Sequence, residues 1–351
     1  MERRILGRTG LEVSAVGFGG GGIGQVWGET TDEASVRAIG IALERGVTFF
    51  DVAPGYGDGR AERVLGRGLA EAPDDVVVMT KVMLPPDQLD DIPGNVRANV
   101  AASLDRLGAD RVDLLIIHNM VTGARGRPYG IAIDTDDARR MTDAMEALQR
   151  EGRAGHLGFT AWRCSEAGLA ALFDDERFGV IQTEVNLLNP SALGPAAPGA
   201  GLGVVADLEA DHDDASMGRY GHRGTDQHAA VRRAEARGLG VVAIRPLAAG
   251  LLADEVDRPI EPASDMSLMR ARASRLRFLL DDPRRPTLSA TALRYVLAQT
   301  GVHTVVPGVK NSAEIIDAIE AADLPPFTPD ELARIGRIAA GEEDPHLEDA
   351  P

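Results

Sequence analysis

Four side chains suited to proton transfer lie at or just beyond the ends of three apolar segments. Asp51 ends the first segment and Tyr56 follows it in a glycine-rich loop, while Lys81 and His118 end the next two. A tyrosine, with a free pKa of about 10, exchanges protons poorly near neutral pH unless a cation stabilises its phenolate. Lys81 can be that cation, Asp51 the counter-charge of the buried ammonium, and His118 a hydrogen-bonding partner of a substrate carbonyl. The four residues are therefore candidates for one proton-transfer site.

Each of these residues also has a structural interpretation, and Lys81 decides between the two. Asp51 alone could cap a helix, Tyr56 could be an amphipathic rim residue, and His118 could be a core histidine. Among 37 basic residues, however, the only lysines are Lys81 and Lys310. Lysine is a compact charge whose pKa shifts readily, whereas arginine is a fixed, always charged fork. A lysine retained at the end of a buried strand indicates chemistry, and the joint placement favours a shared site.

The elements that must position these residues are predicted by short apolar runs that alternate with amphipathic segments of helix length, the pattern of repeated βα units. Helix spacing is clear behind the N-cap candidate Thr31, where Val36, Ile39, Gly40 and Leu43 are expected to face the sheet. Eight parallel strands would close an α/β barrel whose carboxyl-terminal rim collects the four side chains. After a hairpin at residues 3–6 and 11–14, strands are predicted at 15–19, 47–51, 75–81, 112–118, 156–160, 180–185, 240–245 and 303–306. Helices are predicted at 60–71, 94–107, 136–151, 165–173, 226–237, 287–299 and 312–322, with an extra carboxyl-terminal helix near 328–340.

Long loops are predicted after three of the strands, all on the rim that carries the candidate site. Residues 119–134 follow strand four, residues 187–225 follow strand six, and residues 251–285 follow strand seven. Loops of this length at the carboxyl end of a barrel usually cover or shape the site. Because no linker separates two halves, we expect one domain over residues 1–340 and a disordered acidic tail over residues 341–351.

Composition limits the class of protein. The chain is 44% hydrophobic but has no apolar run near the roughly 20 residues that cross a bilayer, and its start lacks a signal segment, so we expect a cytoplasmic enzyme. A net charge of −17 argues against nucleic acid and anionic membranes as partners. Cys164 is the only cysteine, which excludes an intramolecular disulfide and a cysteine-based zinc site. The acidic run at residues 211–214 is interpreted as a solvated loop, so we expect no metal site.

One motif suggests a different fold. Residues 17–22 satisfy the G-x-G-x-x-G pattern of dinucleotide-binding βαβ units, and Asp51 ends the next strand, where a ribose-binding acid would lie. That pattern requires a helix that begins at once, whereas helix signals in this chain begin only near Thr31. A run so rich in glycine also satisfies many patterns. The barrel interpretation is therefore preferred.

Motifs in order along residues 3 to about 322 resemble the aldo-keto reductase family, whose TIM (β/α)8 barrel binds a nicotinamide cofactor without a Rossmann domain. Asp51, Tyr56, Lys81 and His118 match the catalytic tetrad of that family. The resemblance implies an NAD(P)(H)-dependent oxidoreductase that interconverts a carbonyl and an alcohol by hydride transfer, with Tyr56 as general acid/base. The matching motifs are Leu6-Gly7-Arg8-Thr9-Gly10-Leu11, Phe50 to Gly57, Glu62 with Leu65-Gly66, Thr80-Lys81-Val82, Asp113 to His118, Gly158-Phe159-Thr160, Ile181-Gln182 with Asn186, Pro246 to Leu251, and Val306-Pro307-Gly308.

The resemblance also implies which residues hold the nicotinamide. Thr160 and Gln182 match positions that hold its carboxamide in the family, although Ala161 replaces the usual asparagine. Ile244 lies where many members stack an aromatic ring on the nicotinamide, so that contact is lost here. The other contacts that the resemblance implies on and after strand seven are Arg245, Leu247 and Gly250.

After strand eight, residues resemble a phosphate-binding turn whose charges oppose one another. Gly308, Val309 and Lys310 form the turn, and Glu314 occupies a position often held by arginine or glutamine. Lys310 favours a 2′-phosphate, whereas the Glu314 carboxylate favours a free ribose hydroxyl. We therefore expect NADP(H) to be only slightly preferred over NAD(H).

Two other functions remain open on the same barrel. The departures at Ala161, Ile244 and Glu314 motivate a lyase, dehydratase or epimerase that uses the tetrad for proton transfer. A nicotinamide-sensing regulatory subunit is the third possibility, and the intact tetrad argues against it. Fold alone does not choose among these functions. For the oxidoreductase, the partner is a small carbonyl or alcohol compound selected by the long loops.

Overall fold

Parallel strands follow one another in chain order around a closed barrel. The computed structural model describes residues 1–126, 130–194, 227–254 and 265–342. In these ranges each barrel strand pairs in parallel with the next, and bridges from Val16 to Val305 and from Gly19 to Gly308 join the last strand to the first. The predicted eight-stranded barrel is therefore confirmed. The strands are β1 (Phe18–Gly19), β2 (Phe49–Asp51), β3 (Val77–Val82), β4 (Val112–Ile117), β5 (Ala154–Thr160), β6 (Phe178–Glu184), β7 (Gly240–Ile244) and β8 (Thr304–Val305).

Alternation along the strands divides the apolar residues between two cores. Side chains two residues apart lie on the same face of a strand, so every second residue points into the barrel. The outward residues, such as Phe50 on β2 and Ile181 on β6, pack in the large core shared with the helices. The interior core consists of Leu6, Val13, Phe49, Val77, Met79, Leu114, Ile116, Val180, Val242 and Val306.

Ten α-helices occur in the described ranges, and α1 differs from the prediction in the face that it buries. The structure buries Ser35, Ala38, Ile39 and Ala42, so of the predicted set only Ile39 lies on the buried face. Small side chains let the helix lie close to its neighbours, and the larger Val36 and Leu43 pack at its flanks. The helices are α1 (Asp32–Glu44), α2 (Arg60–Gly68), α3 (Ile92–Leu107), α4 (Thr135–Arg150), α5 (Glu166–Asp174), α6 (Ala230–Glu235), α7 (Asp265–Arg275), α8 (Leu288–Leu297), α9 (Ser312–Glu320) and α10 (Pro329–Ala339).

An amino-terminal hairpin closes the end of the barrel opposite the candidate site. Its strands, Arg3–Ile5 and Glu12–Ser14, pair antiparallel as the sequence predicts. Leu6 and Val13 belong to the interior core of the barrel, so the hairpin covers the bottom of that core. The barrel therefore opens only at the carboxyl ends of its strands.

The rim loops agree with the prediction in position but contain more structure than expected. The loop after β4 contains a short parallel pair, Met120–Val121 with Ala132–Ile133. The segment after β7, predicted as a loop, contains α7 and a 3-10 turn at Leu276–Asp281. Amphipathic spacing there is weak, which is why no helix was predicted.

Several predictions lie partly outside the described ranges, among them all three long loops and the tail. Of the loop after β6, residues 195–225 are not described, and these include the acidic run at residues 211–214. The same holds for residues 343–351 of the predicted tail.

The extra helix near residues 328–340 is confirmed as α10, which begins with a capping box between Thr328 and Glu331. None of the helices in the described part of the chain combines the length and apolar character that crossing a membrane requires.

Candidate active site

A buried ion pair between Asp51 and Lys81 forms the base of the site. Both residues occupy inward positions at the ends of β2 and β3, two residues beyond Phe49 and Met79 of the interior core. The Lys81 ammonium donates to Asp51 Oδ1 and, at 2.9 Å, to the carbonyl oxygen of Val52. Strand alternation thus delivers the carboxylate and the ammonium to the same interior layer.

The loop after β2 holds Tyr56 above this ion pair. Lys81 Nζ lies 4.9 Å from the centroid of the tyrosine ring. Two glycines allow this loop to pack closely. Gly24 lies so near Tyr56 that a Cβ on Gly24 would be 2.7 Å from the Tyr56 Cβ, and Gly57 has a φ of +64°, which residues with a side chain rarely adopt. The glycine-rich segment that resembles a dinucleotide motif therefore packs against the tyrosine loop.

His118 completes the group of four at the end of β4. Its ring meets the Tyr56 ring edge to face, with centroids 6.1 Å apart, and its backbone N–H donates to Val82 at 2.8 Å. Both rings are only partly buried, so they face the open end of the barrel, unlike Asp51 and Lys81. The structure brings together all four residues that the sequence predicts.

Burial and the ion pair set the protonation states of the site. Burial lowers the pKa of Lys81, but the facing Asp51 and Tyr56 outweigh it, and the pKa lies above its usual value, so the ammonium stays charged. Burial raises the pKa of Tyr56, and Lys81 opposes that shift. Burial and the Lys81 charge lower the pKa of His118 to about 3. Water at the partly open imidazole weakens the effect of burial, yet the direction keeps His118 neutral near pH 7.

Gln182 connects the predicted cofactor side of the barrel to this ion pair. Its side-chain nitrogen donates to Asp51 Oδ2 at 3.0 Å, a bond across the barrel that the sequence does not reveal. The Gln182 amide oxygen accepts no hydrogen bond from the described residues. The Thr160 hydroxyl makes two long contacts, donating to the Gln182 carbonyl oxygen at 3.5 Å and accepting from the Trp162 N–H at 3.4 Å. One free acceptor beside one hydroxyl fits a carboxamide such as that of nicotinamide.

The turn after β8 is closed on itself by Glu314. Glu314 Oε2 accepts from the backbone N–H of Lys310 at 2.7 Å, and Lys310 Nζ lies 3.5 Å from Glu314 Oε1. The Val309 N–H donates to Gly19 at 3.1 Å, and the Asn311 side chain caps the start of α9. Most donors of the predicted phosphate-binding turn are thus already bonded within the protein, and Gly308 is its exposed residue.

The turn after β7 contains the remaining predicted cofactor residues. Arg245 directly follows the strand, Leu247 is half-buried, and Gly250 has a φ of +88° that favours glycine. Sequence analysis missed Glu184, whose carboxylate lies 3.4 Å from Arg245 Nε. A signal was available, because Gln182 and Glu184 are two residues apart on β6 and therefore share the inward face.

The arrangement as a whole can move a proton at Tyr56 and bind an amide beside it. Tyr56 carries the proton, Lys81 lies against it, and Thr160 and Gln182 lie across the barrel mouth. In the described part of the chain, no group of three or more His, Cys, Asp or Glu side chains is placed to hold a metal ion. The arrangement of these side chains is suited to acid/base chemistry and to recognition of an organic amide.

Comparisons with known proteins identify the family of the chain. The model of the aldo/keto reductase family matches residues 15–205 and 220–340. The chain is 27% identical to L-galactose dehydrogenase from Arabidopsis thaliana over 324 residues, which cover 92% of this chain and 88% of that protein. It is 26% identical to pyridoxal 4-dehydrogenase from Microbacterium luteolum over 354 residues, which cover 90% and 91% of the two chains.

Solved structures support the fold. The holo form of an aldo-keto reductase from Bacillus halodurans superimposes with a TM-score of 0.69 at 21% identity, over 99% of this chain and 100% of that one. Glycerol dehydrogenase from Gluconobacter oxydans superimposes with a TM-score of 0.66 at 22% identity, over 96% of this chain and 94% of that one. The chain belongs to the aldo/keto reductase family and is an NAD(P)-dependent oxidoreductase that interconverts a carbonyl and an alcohol.

Proposed function

We propose that Tyr56 is the general acid/base of this oxidoreductase, and that Asp51, Lys81 and His118 serve it. The observation that carries the proposal is the Lys81 ammonium, buried and 4.9 Å from the tyrosine ring. Its charge stabilises the phenolate that forms when Tyr56 gives its proton to a carbonyl oxygen. Asp51 keeps the ammonium charged and accepts its hydrogen bond, while the Gln182 side chain donates to the other carboxylate oxygen and so fixes the direction of Asp51. Neutral His118 donates a hydrogen bond to the same carbonyl and polarises it.

The nicotinamide cofactor, when bound, supplies or accepts the hydride at the carbonyl carbon. Thr160 and Gln182 would hold its carboxamide through a hydroxyl and a free amide oxygen. Leu247, Gly250, Gly308, Val309, Lys310 and Glu314 would contact the rest of the cofactor, whereas the contacts of Arg245 are with Glu184 and the Trp162 ring. The dehydrogenase names of the relatives suggest sugars, small polyols and related alcohols as the first compounds to test.

A binding and turnover experiment tests these roles. The purified chain is titrated with NADPH and NADH by calorimetry, and reduction of a panel of small aldehydes and ketones is then followed by cofactor absorbance. Tyr56→Phe should bind the cofactor as the native chain does but lose reduction. Cofactor binding with no carbonyl reduction by the native chain would favour a proton-transfer reaction such as epimerisation.

Cofactor choice is proposed to be weak, with NADP(H) slightly ahead of NAD(H). Lys310 and Glu314 are 3.5 Å apart, so the positive charge that would attract a 2′-phosphate is largely cancelled. Glu314 also occupies the Lys310 N–H, which removes a donor that a phosphate could use. Affinities for the two cofactors should therefore lie within roughly tenfold, or about 1.4 kcal/mol.

Glu314→Arg is expected to tighten NADPH binding by roughly tenfold or more while NADH changes little, because repulsion becomes attraction and the Lys310 N–H is released. Calorimetry at low and at high salt measures the effect, which screening should reduce. Glu314→Gln is the matched control, because it keeps an acceptor for the N–H and removes only the charge. Unchanged NADPH affinity in the arginine variant would show that Glu314 does not face the ribose.

The rate of carbonyl reduction should stay level between about pH 5 and pH 8 and fall only in alkaline solution. Reduction needs the protonated phenol, so activity is present below the Tyr56 pKa, which burial raises, and is lost as the pH passes it. The depressed pKa of His118 removes the usual histidine step from this window. The measurement is kcat against pH in one mixed buffer. An inflection near pH 6.5 that disappears in His118→Asn would contradict the assignment.

The remaining expectations from sequence stay predictions. They are a cytoplasmic location, one domain over residues 1–340, and no binding to nucleic acid or anionic membranes. The charge of −17 supports the last of these.

A further inference from the structure

Arg245 lies at the rim of the site in a strained backbone conformation. Its φ is +53°, in the left-handed region that residues with a side chain rarely adopt. Because of this conformation, the Arg245 side chain does not follow the in-and-out alternation of β7. It extends toward Glu184 on β6 and Trp162 after β5. Strained residues of this kind cluster at functional sites, where the surrounding structure holds them in place.

Glu184 and Asn186 hold Arg245 from one side. Glu184 Oε2 lies 3.4 Å from Arg245 Nε, and the two side chains are only 6% and 18% exposed. The Asn186 side chain donates to Glu184 Oε1 at 3.0 Å and to the Arg245 carbonyl oxygen at 3.1 Å. The carboxylate therefore orients the guanidinium through its inner nitrogen.

The outer part of the guanidinium is open. Its two terminal nitrogens donate to none of the described residues, and the buried Nε itself lacks a hydrogen bond of good geometry. The guanidinium lies 5.5 Å from the centroid of the Trp162 ring, and the Arg163 guanidinium lies 4.4 Å from the same centroid. Two guanidinium groups thus lie against one indole, close in sequence to Thr160.

The charge of Arg245 also reaches the reacting end of the site. Burial raises the pKa of Tyr56, and Arg245 is among the cations that oppose this shift. The predicted phosphate-binding turn follows β8, whereas the contacts of Arg245 are with Glu184 on β6 and Trp162 after β5. An anion on Arg245 would therefore lie toward the substrate carbonyl.

We propose that Arg245 binds a carboxylate carried by the substrate, so that the enzyme acts on carbonyl acids and the matching hydroxy acids. The planar fork of a guanidinium matches a carboxylate with two parallel hydrogen bonds. In a chain of net charge −17, a local cation is also what an anionic substrate needs in order to approach. This inference rests on the proposed oxidoreductase function and adds the class of substrate.

The test compares two aldehydes that differ by one carboxylate, succinic semialdehyde and butanal. The native enzyme should show a higher kcat/KM for the acid, and Arg245→Met should lower the ratio of acid to neutral kcat/KM by roughly 10- to 100-fold, the factor that hydrogen bonds to a charged group provide. Arg245→Lys should lie between the two, because it keeps the charge without the fork. Arg97→Met, which removes an exposed arginine paired with Glu151 on the helices, is the charge-matched control and should keep the native ratio.

A second readout does not depend on turnover. Succinate is titrated by calorimetry into the cofactor-free native chain and into Arg245→Met, and near-ultraviolet circular dichroism of Trp162 and its surroundings checks that the variant is folded. Weaker succinate binding in the variant, with NADPH and NADH affinities unchanged, supports the proposal.

Two results would overturn it. Equal succinate binding and an equal acid-to-neutral ratio in both proteins would mean that Arg245 binds no anion. If Arg245→Met loses affinity for NADPH and NADH while its ratio of acid to neutral kcat/KM stays unchanged, Arg245 would be assigned to the cofactor diphosphate instead. If the native chain reduces no carbonyl compound, the proposed function is rejected. The succinate titration would still show whether Arg245 binds a carboxylate.

Discussion

Lys81→Met should lower the turnover number for carbonyl reduction by about 100- to 10,000-fold, the range that general acid/base catalysis contributes. Without the ammonium, the Tyr56 phenolate loses its nearest stabilising charge and the proton is harder to release. The fold should survive, because burial already raises the pKa of Asp51 and lets the carboxyl group become neutral when its partner is removed. Cofactor affinity should change little.

Steady-state kinetics and cofactor titration of Lys81→Met measure these effects. Arg106→Met is a suitable control, because it also removes a cation from a buried carboxylate, Glu62, but on the outer side of the barrel. That variant should lose stability and keep its turnover. Combining Lys81→Met with Tyr56→Phe should cost hardly more than either change alone, since both residues serve one step. Turnover above about a tenth of the native value in Lys81→Met would refute the role of the lysine.

Of the substitutions considered, Asp51→Asn should destabilise the fold most, lowering the free energy of unfolding by about 3–5 kcal/mol at pH 7. Asparagine matches aspartate in shape, but it leaves the Lys81 ammonium buried without a counter-charge. Without the carboxylate, burial lowers the pKa of Lys81 in the folded variant below its value in the unfolded chain. The variant is therefore destabilised at pH values below the unfolded-state pKa, where lysine is protonated in the unfolded chain. The deficit relative to the native chain should shrink as the pH rises from 7 toward 10.

Urea unfolding of the two proteins at several pH values measures this difference. The double variant Asp51→Asn with Lys81→Met should recover part of the loss, because no isolated charge remains. Glu151→Gln, which breaks an exposed pair with Arg97, should change stability much less. A deficit that does not depend on pH would mean that lost packing, rather than the unpaired ammonium, destabilises the variant.

The group of four candidate side chains was predictable because it follows from local rules. Asp51, Lys81 and His118 lie at or just beyond the carboxyl ends of parallel strands, and the structure brings them together at that end of the barrel. Sequence patterns also predicted the hairpin and the helices, α10 included, with the exception of α7. The inward face predicted for α1 was wrong, because apolar size was weighed above the close approach that Ala38 and Ala42 allow.

Contacts between distant parts of the chain were not predictable in the same way. The bond from Gln182 to Asp51 joins residues 131 positions apart across the barrel, and only the closed geometry brings them together. The bond from Glu314 to the Lys310 N–H depends on the turn after β8, so sequence indicated opposing charges but not that they neutralise each other. The left-handed backbone of Arg245 likewise has no sequence signature, because arginine rarely adopts it.

The amino-terminal hairpin has a consequence for how the chain is made. Arg4 donates to the carbonyl oxygens of Val302 and Leu297, nearly 300 residues later, and Gly7 bridges to Leu239. The hairpin therefore completes its native contacts only after residues 297–302 have been synthesised. Contacts so distant in sequence slow folding and leave the early strands exposed to association with other chains. Removing residues 1–14 should consequently impair the last step of barrel closure more than the formation of the first βα units.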